Sequence, residues 1–113
     1  MTATALEARV VTGPGSASPV IELVGDVDSR AEGALDTAYA EVESADAVLL
    51  DFAGVTYMNS TGIALIVGLL ARARKNSQTL SARGLSPHYR ELFEITRLAD
   101  FMTIVDDEEE GAA

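Results

Sequence analysis

The fold is decided by residues 47–63, which have the sequence AVLLDFAGVTYMNSTGI. The run Ala47–Phe52 is almost continuously apolar, which is typical of a central strand buried on both faces of a parallel sheet. We predict a loop over residues 53–59 and a helix over about 61–75, because apolar side chains recur there at helical spacing. A buried strand that leads through a short loop into an amphipathic helix indicates an α/β domain.

The flanking sequence repeats this alternation of strands and helices. The turn-forming residues 12–19, TGPGSASP, separate two short apolar runs and predict a hairpin. Gly25 is expected to end the second strand, and the pair Ser86 and Pro87 has the composition of a helix start. The elements predicted outside residues 47–75 are strands at Ala8–Val11, Val20–Val24, Gln78–Ala82 and Phe101–Val105, and helices over about 30–43 and from Ser86 onward.

These elements have the order β-β-α-β-α-β-α-β and predict one α/β domain. We expect about four to five mostly parallel strands after the opening hairpin, with helices packed mainly on one face of the sheet. The domain is expected to span residues 1–113, with its core at about 6–106 and a solubilising acidic tail at 106–113.

Composition and charge exclude several classes of function. The chain of 113 residues has no cysteine and only one histidine, His88, so thiolate zinc sites, cysteine nucleophiles and disulfides are ruled out. A net charge of −10 argues against a nucleic-acid partner, because phosphate backbones require a basic footprint. No apolar run reaches the roughly 18 residues that span a bilayer, and the N-terminus lacks a signal-peptide pattern. We therefore expect a cytoplasmic protein that does not insert into membranes.

The junction Met58-Asn59-Ser60-Thr61-Gly62 offers two interpretations of Ser60. The serine hydroxyl can cap the following helix, which is what most serines in this position do. Alternatively, Ser60 accepts a phosphoryl group, which carries close to two negative charges and would lie at the positive end of the helix dipole. The fold should tolerate such a group, whereas an apolar partner surface should not. Both interpretations remain open at the level of local chemistry.

The stretch Asp51–Ile63 resembles the signature of STAS domains, and most closely that of bacterial anti-sigma factor antagonists, also called anti-anti-sigma factors. In those proteins, Asp-Ser-Ser-Gly or Asp-Ser-Thr-Gly carries a phosphorylated serine. Gly25-Asp26-Val27-Asp28 resembles an earlier element of the same family, and the resemblance covers roughly residues 6–106. Ser60 matches the phosphoacceptor, and Asn59 departs from the pattern because it stands where the family usually has Asp.

This resemblance implies a protein that acts by switching partners. The unphosphorylated form would bind an anti-sigma factor that is also a serine kinase with a GHKL-type ATP site, and so free a sigma factor. The kinase would phosphorylate Ser60 and release the antagonist, and a PP2C-type phosphatase would restore it. Thr61 is the second candidate acceptor. The residues implied in partner binding are Asp26, Asp28, Met58, Asn59, Ser60, Thr61 and Gly62.

The same residues leave one main alternative function and argue against two others. A STAS scaffold or regulatory subunit of a stress-sensing or transporter complex, with no sigma factor target, is the main alternative. A hydrolase nucleophile elbow requires glycine two residues before the serine, and that residue is Met58. A phospho-receiver would need an acidic pair after the first strand and a late lysine, whereas the only lysine is Lys75. We therefore expect no enzyme activity.

Asp26 and Asp28 resemble a metal pair in spacing, but helix capping and turn formation explain them better. No metal or cofactor site is expected, and the protein is expected to be a monomer or a weak homodimer.

Overall fold

A computed structural model describes residues 4–12 and 18–105. They form a five-stranded sheet with helices between its strands. The strands are β1 (Glu7–Val11), β2 (Val20–Val27), β3 (Ala47–Met58), β4 (Thr79–Arg83) and β5 (Thr103–Val105). The α-helices are α1 (Glu32–Val42), α2 (Ser60–Lys75) and α3 (Pro87–Ile95), and short 3-10 helices lie at Ser29–Ala31 and Leu98–Asp100.

The strands follow one another across the sheet in chain order. β1 runs antiparallel to β2, and β2, β3, β4 and β5 are parallel neighbours. This arrangement confirms the predicted α/β fold with an opening hairpin, and the five strands include both strands of that hairpin. Most of the predicted turn at residues 12–19 and the predicted acidic tail lie outside the described residues.

β3 is much longer than predicted, and the expected loop over residues 53–59 is wrong. The strand continues to Met58 and pairs with β2 as far as the contact of Met58 with Val27. β2 is longer too, since it passes through Gly25, which has a φ of 111° at an irregularity in the register, instead of ending there. The extended β2–β3 pair carries the start of α2 to one end of the sheet.

All three helices pack on one face of the sheet, as predicted. On that face, alternate residues of β2 and β3 are at most 2% exposed, and they pack with buried side chains of the helices. On the opposite face, Leu49 and Asp51 are only half-buried, so the expectation that this strand is buried on both faces is wrong. The Phe93 ring of α3 meets the Phe52 ring of β3 edge-on, with 5.8 Å between centroids. The core thus lies between the sheet and its helices.

Local capping chemistry explains where two of the helices begin. The Ser86 hydroxyl accepts a hydrogen bond from the Tyr89 N–H, and Pro87 occupies the first turn, so the predicted start of α3 is confirmed. The 3-10 helix Ser29–Ala31 precedes α1, which therefore begins at Glu32 instead of residue 30. None of the helices among the described residues has the length and apolar character to cross a membrane.

Candidate functional site

Asn59 forms the cap of α2. Its backbone is extended, with φ −110° and ψ −177°, and its side-chain oxygen accepts a hydrogen bond of 2.9 Å from the Gly62 N–H. Its carbonyl oxygen accepts the Ile63 N–H at 2.9 Å, and its own N–H donates to the Val27 carbonyl at 3.3 Å. Asn59 therefore joins the end of β3, the end of β2 and the first turn of α2.

Ser60 and Thr61 occupy the first two positions of α2, and both are exposed. Because Asn59 caps the helix, the interpretation of the Ser60 hydroxyl as the cap is wrong. That hydroxyl forms no hydrogen bond with any residue in the described ranges. A serine at this position has an accessible oxygen beside the N–H groups of the first helical turn, which have no partner within the helix.

Gly62 allows the first turn of α2 to pack against the backbone of β2. A β-carbon at this position would lie 1.8 Å from the Val27 carbonyl oxygen, a distance that no side chain can accommodate. Gly62 is buried, and Val27 is fully buried beside it. The glycine therefore fixes how closely Ser60 approaches the end of β2.

Tyr89 of α3 supports the same junction from the other side. Its hydroxyl oxygen accepts a hydrogen bond of 2.9 Å from the Met58 N–H, at the last residue of β3. The Met58 side chain is 5% exposed and belongs to the core. A groove of about 210 Å³ lies beside these two residues, and its lining includes Phe52, Val55 and Ser86.

Asp26 and Asp28 lie next to this junction and share one arginine. Asp28 caps the 3-10 helix through the Arg30 N–H, at 2.9 Å, and its two oxygens accept from the Arg30 guanidinium at 3.2 and 2.7 Å. Asp26 is 8% exposed, accepts the Thr56 hydroxyl at 2.8 Å and lies 3.7 Å from Arg30. Of the two predicted caps, Asp28 is confirmed and Asp26 instead belongs to β2.

The electrostatics of this pair follow from its hydrogen bonds. The side-chain bonds from Arg30, and then the bond from its backbone N–H, lower the pKa of Asp28 below its usual range. The same contact with Asp28 raises the pKa of Arg30. Both carboxylates thus face a guanidinium, and the described residues contain no cluster of three or more metal-ligating side chains.

The structure brings the seven predicted site residues to one end of the sheet. β2 and β3 end side by side there, with Val27 opposite Met58, and the 3-10 helix that follows β2 contacts α2. At the surface lie four of the seven, namely Asp28, Asn59, Ser60 and Thr61, which are exposed or half-buried. The other three residues, Asp26, Met58 and Gly62, are buried and shape that surface from beneath.

Two tyrosines at this site were missed from the sequence. Tyr57, at 49% exposure, is an aromatic side chain two residues before Asn59, and the adjacent Val55 and Thr56 are the strand-forming signal that could have placed it in β3. Tyr89 lies 31 positions from Met58, so no local sequence pattern signals the hydrogen bond between them.

Comparisons with known proteins agree with this fold. The anti-sigma-B factor antagonist of Staphylococcus epidermidis is 40% identical over 57 residues, which cover 50% of this chain and 53% of that protein. The chain thus spans about half the length of this relative. An anti-sigma factor antagonist from Mycobacterium paratuberculosis has a crystal structure that superposes with a TM-score of 0.72 and 20% identity, covering 88% of this chain and 85% of the other.

The antagonist SpoIIAA has the same fold in two forms. Its unphosphorylated form superposes with a TM-score of 0.68 and 18% identity, covering 93% of both chains. Its phosphorylated form, from Bacillus, gives a TM-score of 0.62 at 20% identity, covering 91% of this chain and 95% of the other. The family model described as "Mlab, STAS domain" matches residues 12–106. The chain belongs to the STAS domain family.

Proposed function

We propose that this protein is an anti-sigma factor antagonist whose binding to its partner is switched by phosphorylation of Ser60. One observation carries the proposal: the Ser60 hydroxyl is exposed at the start of α2 and makes no hydrogen bond within the described residues, while Asn59 caps the helix. The names of the relatives support the antagonist function, and the sequence pattern around Ser60 supports the choice of residue.

The partner in this proposal is an anti-sigma factor that is also a serine kinase with a GHKL-type ATP site. The kinase transfers the γ-phosphoryl group of ATP to the Ser60 oxygen, which yields phosphoserine and ADP, and a base in the kinase takes the hydroxyl proton. A PP2C-type phosphatase hydrolyses the phosphoserine and restores the binding form. The antagonist itself is a ligand and a substrate, not a catalyst.

The physical basis of the switch is a difference between two environments of the phosphate. In the free protein, close to two negative charges at the start of α2 lie in water and near unpaired helical N–H groups. In the complex, the same charges would be held against a partner surface, where a poorly paired charge costs several kcal/mol. Since each 1.4 kcal/mol is tenfold in affinity, phosphorylation would release the partner without refolding.

Thr61 is the second candidate acceptor. Like Ser60, it is exposed, and it lies one residue further into α2. Substitution of each residue in turn distinguishes them, because the Ser60→Ala variant should incorporate no phosphate while the Thr61→Ala variant should incorporate it normally. Phosphate incorporation into Ser60→Ala at the rate of the wild type would eliminate Ser60 as the acceptor.

Affinity capture from host lysate with ATP present tests the whole proposal. The baits are the wild type, Ser60→Glu and the matched control Ser44→Glu, with partners identified by mass spectrometry. Ser44 is an exposed serine between α1 and β3, at the end of the sheet opposite Met58. We expect a GHKL-type kinase on the wild type and on the Ser44→Glu bait, and its loss from the Ser60→Glu bait. Retention of the same partner by all baits, or recovery of a transporter ATPase or a large scaffold, would contradict the switch and favour a STAS scaffold subunit.

A further inference from the structure

The basic side chains of this acidic chain are nearly all paired with carboxylates of the same chain. Six of its eight lysine and arginine residues lie within 4.0 Å of an Asp or Glu oxygen, namely Arg9, Arg30, Arg72, Arg83, Arg90 and Arg97. The other two, Arg74 and Lys75, form no ion pair with any residue of 4–12 or 18–105. They are adjacent, exposed and in the last turn of α2. In a chain of net charge −10, they form a local cationic site.

Arg74 also borders an apolar groove of about 300 Å³ between α2 and the second 3-10 helix. Val67, Leu70, Leu98 and Phe101 supply its apolar lining. Two of these side chains are unusually open to solvent, since Val67 is 44% and Phe101 is 51% exposed. The Arg74 guanidinium lies 4.9 Å from the centre of the Phe101 ring, a cation–π contact that holds the charge at the edge of the groove.

An exposed side of α2 connects the groove with the Ser60 surface. Ser60, Ala64, Val67, Ala71 and Arg74 are all exposed, and their spacing places them along one side of the helix. From Ser60 to Arg74 this side is about 21 Å long, at 1.5 Å per residue. A protein that binds at Ser60 can therefore extend along α2 to the groove without crossing a charged ridge.

We propose that this groove is a second docking site, which receives an acidic amphipathic helix of the partner protein. Carboxylates of that helix would face Arg74 and Lys75, and an apolar side chain would lie between Val67 and Phe101. Recognition of an amphipathic helix by an apolar groove with a charged rim is a recurring mode of protein binding. The identity of the partner as an anti-sigma kinase rests on the proposed function, whereas the chemistry of the groove does not.

The acidic residues 106–110 of the same chain are a poorer match for this site. They supply carboxylates, but the sequence Asp-Asp-Glu-Glu-Glu-Gly-Ala-Ala offers no side chain large enough to fill the groove. Moreover, Val105 pairs with Arg83 at the end of β4, whereas Lys75 lies just before the beginning of β4. Val105, the last described residue, thus lies at the opposite end of the sheet from the cationic site.

Two synthetic peptides test the groove without any knowledge of the partner. Both are blocked helices of about four turns with the same Leu and Phe stripe, one with Glu and one with Lys at the remaining positions. Titrated into the full chain labelled with ¹⁵N, the Glu peptide should give saturable amide shifts at Val67, Ala71 and Phe101. Equal binding of both peptides, or shifts confined to another surface, would overturn the proposal.

Charge reversal makes the same test quantitative. The Arg74→Glu, Lys75→Glu double variant should bind the Glu peptide roughly threefold to tenfold more weakly and the Lys peptide more tightly, as expected for exposed ion pairs. Arg9→Glu, which reverses an exposed charge on β1, is the matched control and should change neither affinity. An unchanged affinity of the double variant would refute the cationic site.

Removal of residues 106–113 should leave the Val67 and Phe101 amide signals of the free protein unchanged. A shift of these signals would make the acidic segment the occupant of the groove instead.

Once the kinase has been captured, its binding to the two variants tests the groove and the Ser60 switch independently. We expect the double variant to bind the kinase severalfold more weakly than the wild type. If Ser60→Glu abolishes kinase binding and the double variant binds normally, the proposed function stands and the docking groove is refuted. If the double variant binds weakly and Ser60→Glu binds normally, the groove stands and the phosphorylation switch is refuted.

Discussion

Replacement of Asn59 should destabilise the protein, whereas replacement of Ser60 should not. In Asn59→Ala, the Gly62 N–H loses its acceptor at 2.9 Å, in a half-buried position at the start of α2. Loss of such a cap lowers the free energy of unfolding by about 1 kcal/mol. In Ser60→Ala, an exposed hydroxyl with no partner among the described residues is removed, so the change should stay within about 0.5 kcal/mol.

Urea unfolding followed by far-UV circular dichroism measures both values. The slope of the transition should be the same in all variants, so that the midpoints report stability alone. In thermal unfolding, the Asn59→Ala change should lower Tm by about 4 °C. Asn59→Asp is the control for the cap, since its carboxylate can accept the same hydrogen bond. Its negative charge at the helix N-terminus should also stabilise the protein by about 0.3–1 kcal/mol.

The opposite order of stabilities would refute this assignment of the cap. If Ser60→Ala lost about 1 kcal/mol and Asn59→Ala lost nothing, Ser60 would be the capping residue. The result also decides how functional data on Ser60 are interpreted. A Ser60 variant that is as stable as the wild type reports on phosphorylation and binding alone, whereas a destabilised one would mix these effects with partial unfolding.

Three further predictions concern the framework of the site. Gly62→Ala should destabilise the protein by about 3 kcal/mol in the same urea assay, because the new β-carbon would meet a backbone oxygen. Gly68→Ala is the control, since a β-carbon there meets no atom within 4 Å, and it should stabilise the protein by about 0.5–1 kcal/mol. Gln78→Leu should cost about 2–4 kcal/mol in thermal unfolding, since the buried amide donates to three backbone carbonyls. Because Arg30 lowers the pKa of Asp28, their contact stabilises the fold at pH values above 3.8, the ordinary pKa of this carboxyl, and the effect is lost as the pH falls through the lowered pKa. The difference in free energy of unfolding between the wild type and Asp28→Asn should therefore shrink in acid.

The alternation of strands and helices could be predicted because each element carries its own signal. Apolar runs marked the strands, and the apolar spacing of α2 and the Ser86-Pro87 start of α3 marked the helices. α2 begins at Ser60, within one residue of its predicted start at about 61. These features depend on residues close together in the chain, which is why sequence patterns capture them.

The length of β3 could not be predicted in the same way. Ala53 and Gly54 interrupt the apolar run, and this composition favours a loop. In the sheet, Gly54 instead allows close packing on β2, since a β-carbon there would lie 2.8 Å from the Leu23 carbonyl oxygen. The glycine is thus a point of backbone contact within the strand, a role that depends on a partner strand far away in the sequence.

Whether Asn59 or Ser60 caps α2 depends on the residue at which β3 ends. Both side chains are good caps, so composition alone does not distinguish them. The decision is made by the pairing of β3 with β2, which carries the strand to Met58 and leaves the extended backbone of Asn59 as the last position before the helix. The bond from Met58 to Tyr89 adds a constraint from a third element.

This one-residue difference matters for the proposed switch. A capping hydroxyl accepts a hydrogen bond from a backbone N–H, so a phosphate added to it would have to take over that bond with one of its own oxygens. With Asn59 as the cap, the Ser60 oxygen has no such role, and a phosphate there adds a favourable interaction with the helix dipole of typically 0.3–1 kcal/mol. The same charge held against a partner costs several kcal/mol. Because the two effects have opposite signs, a modification at Ser60 would release the partner in the proposed switch while it leaves the fold of the protein intact.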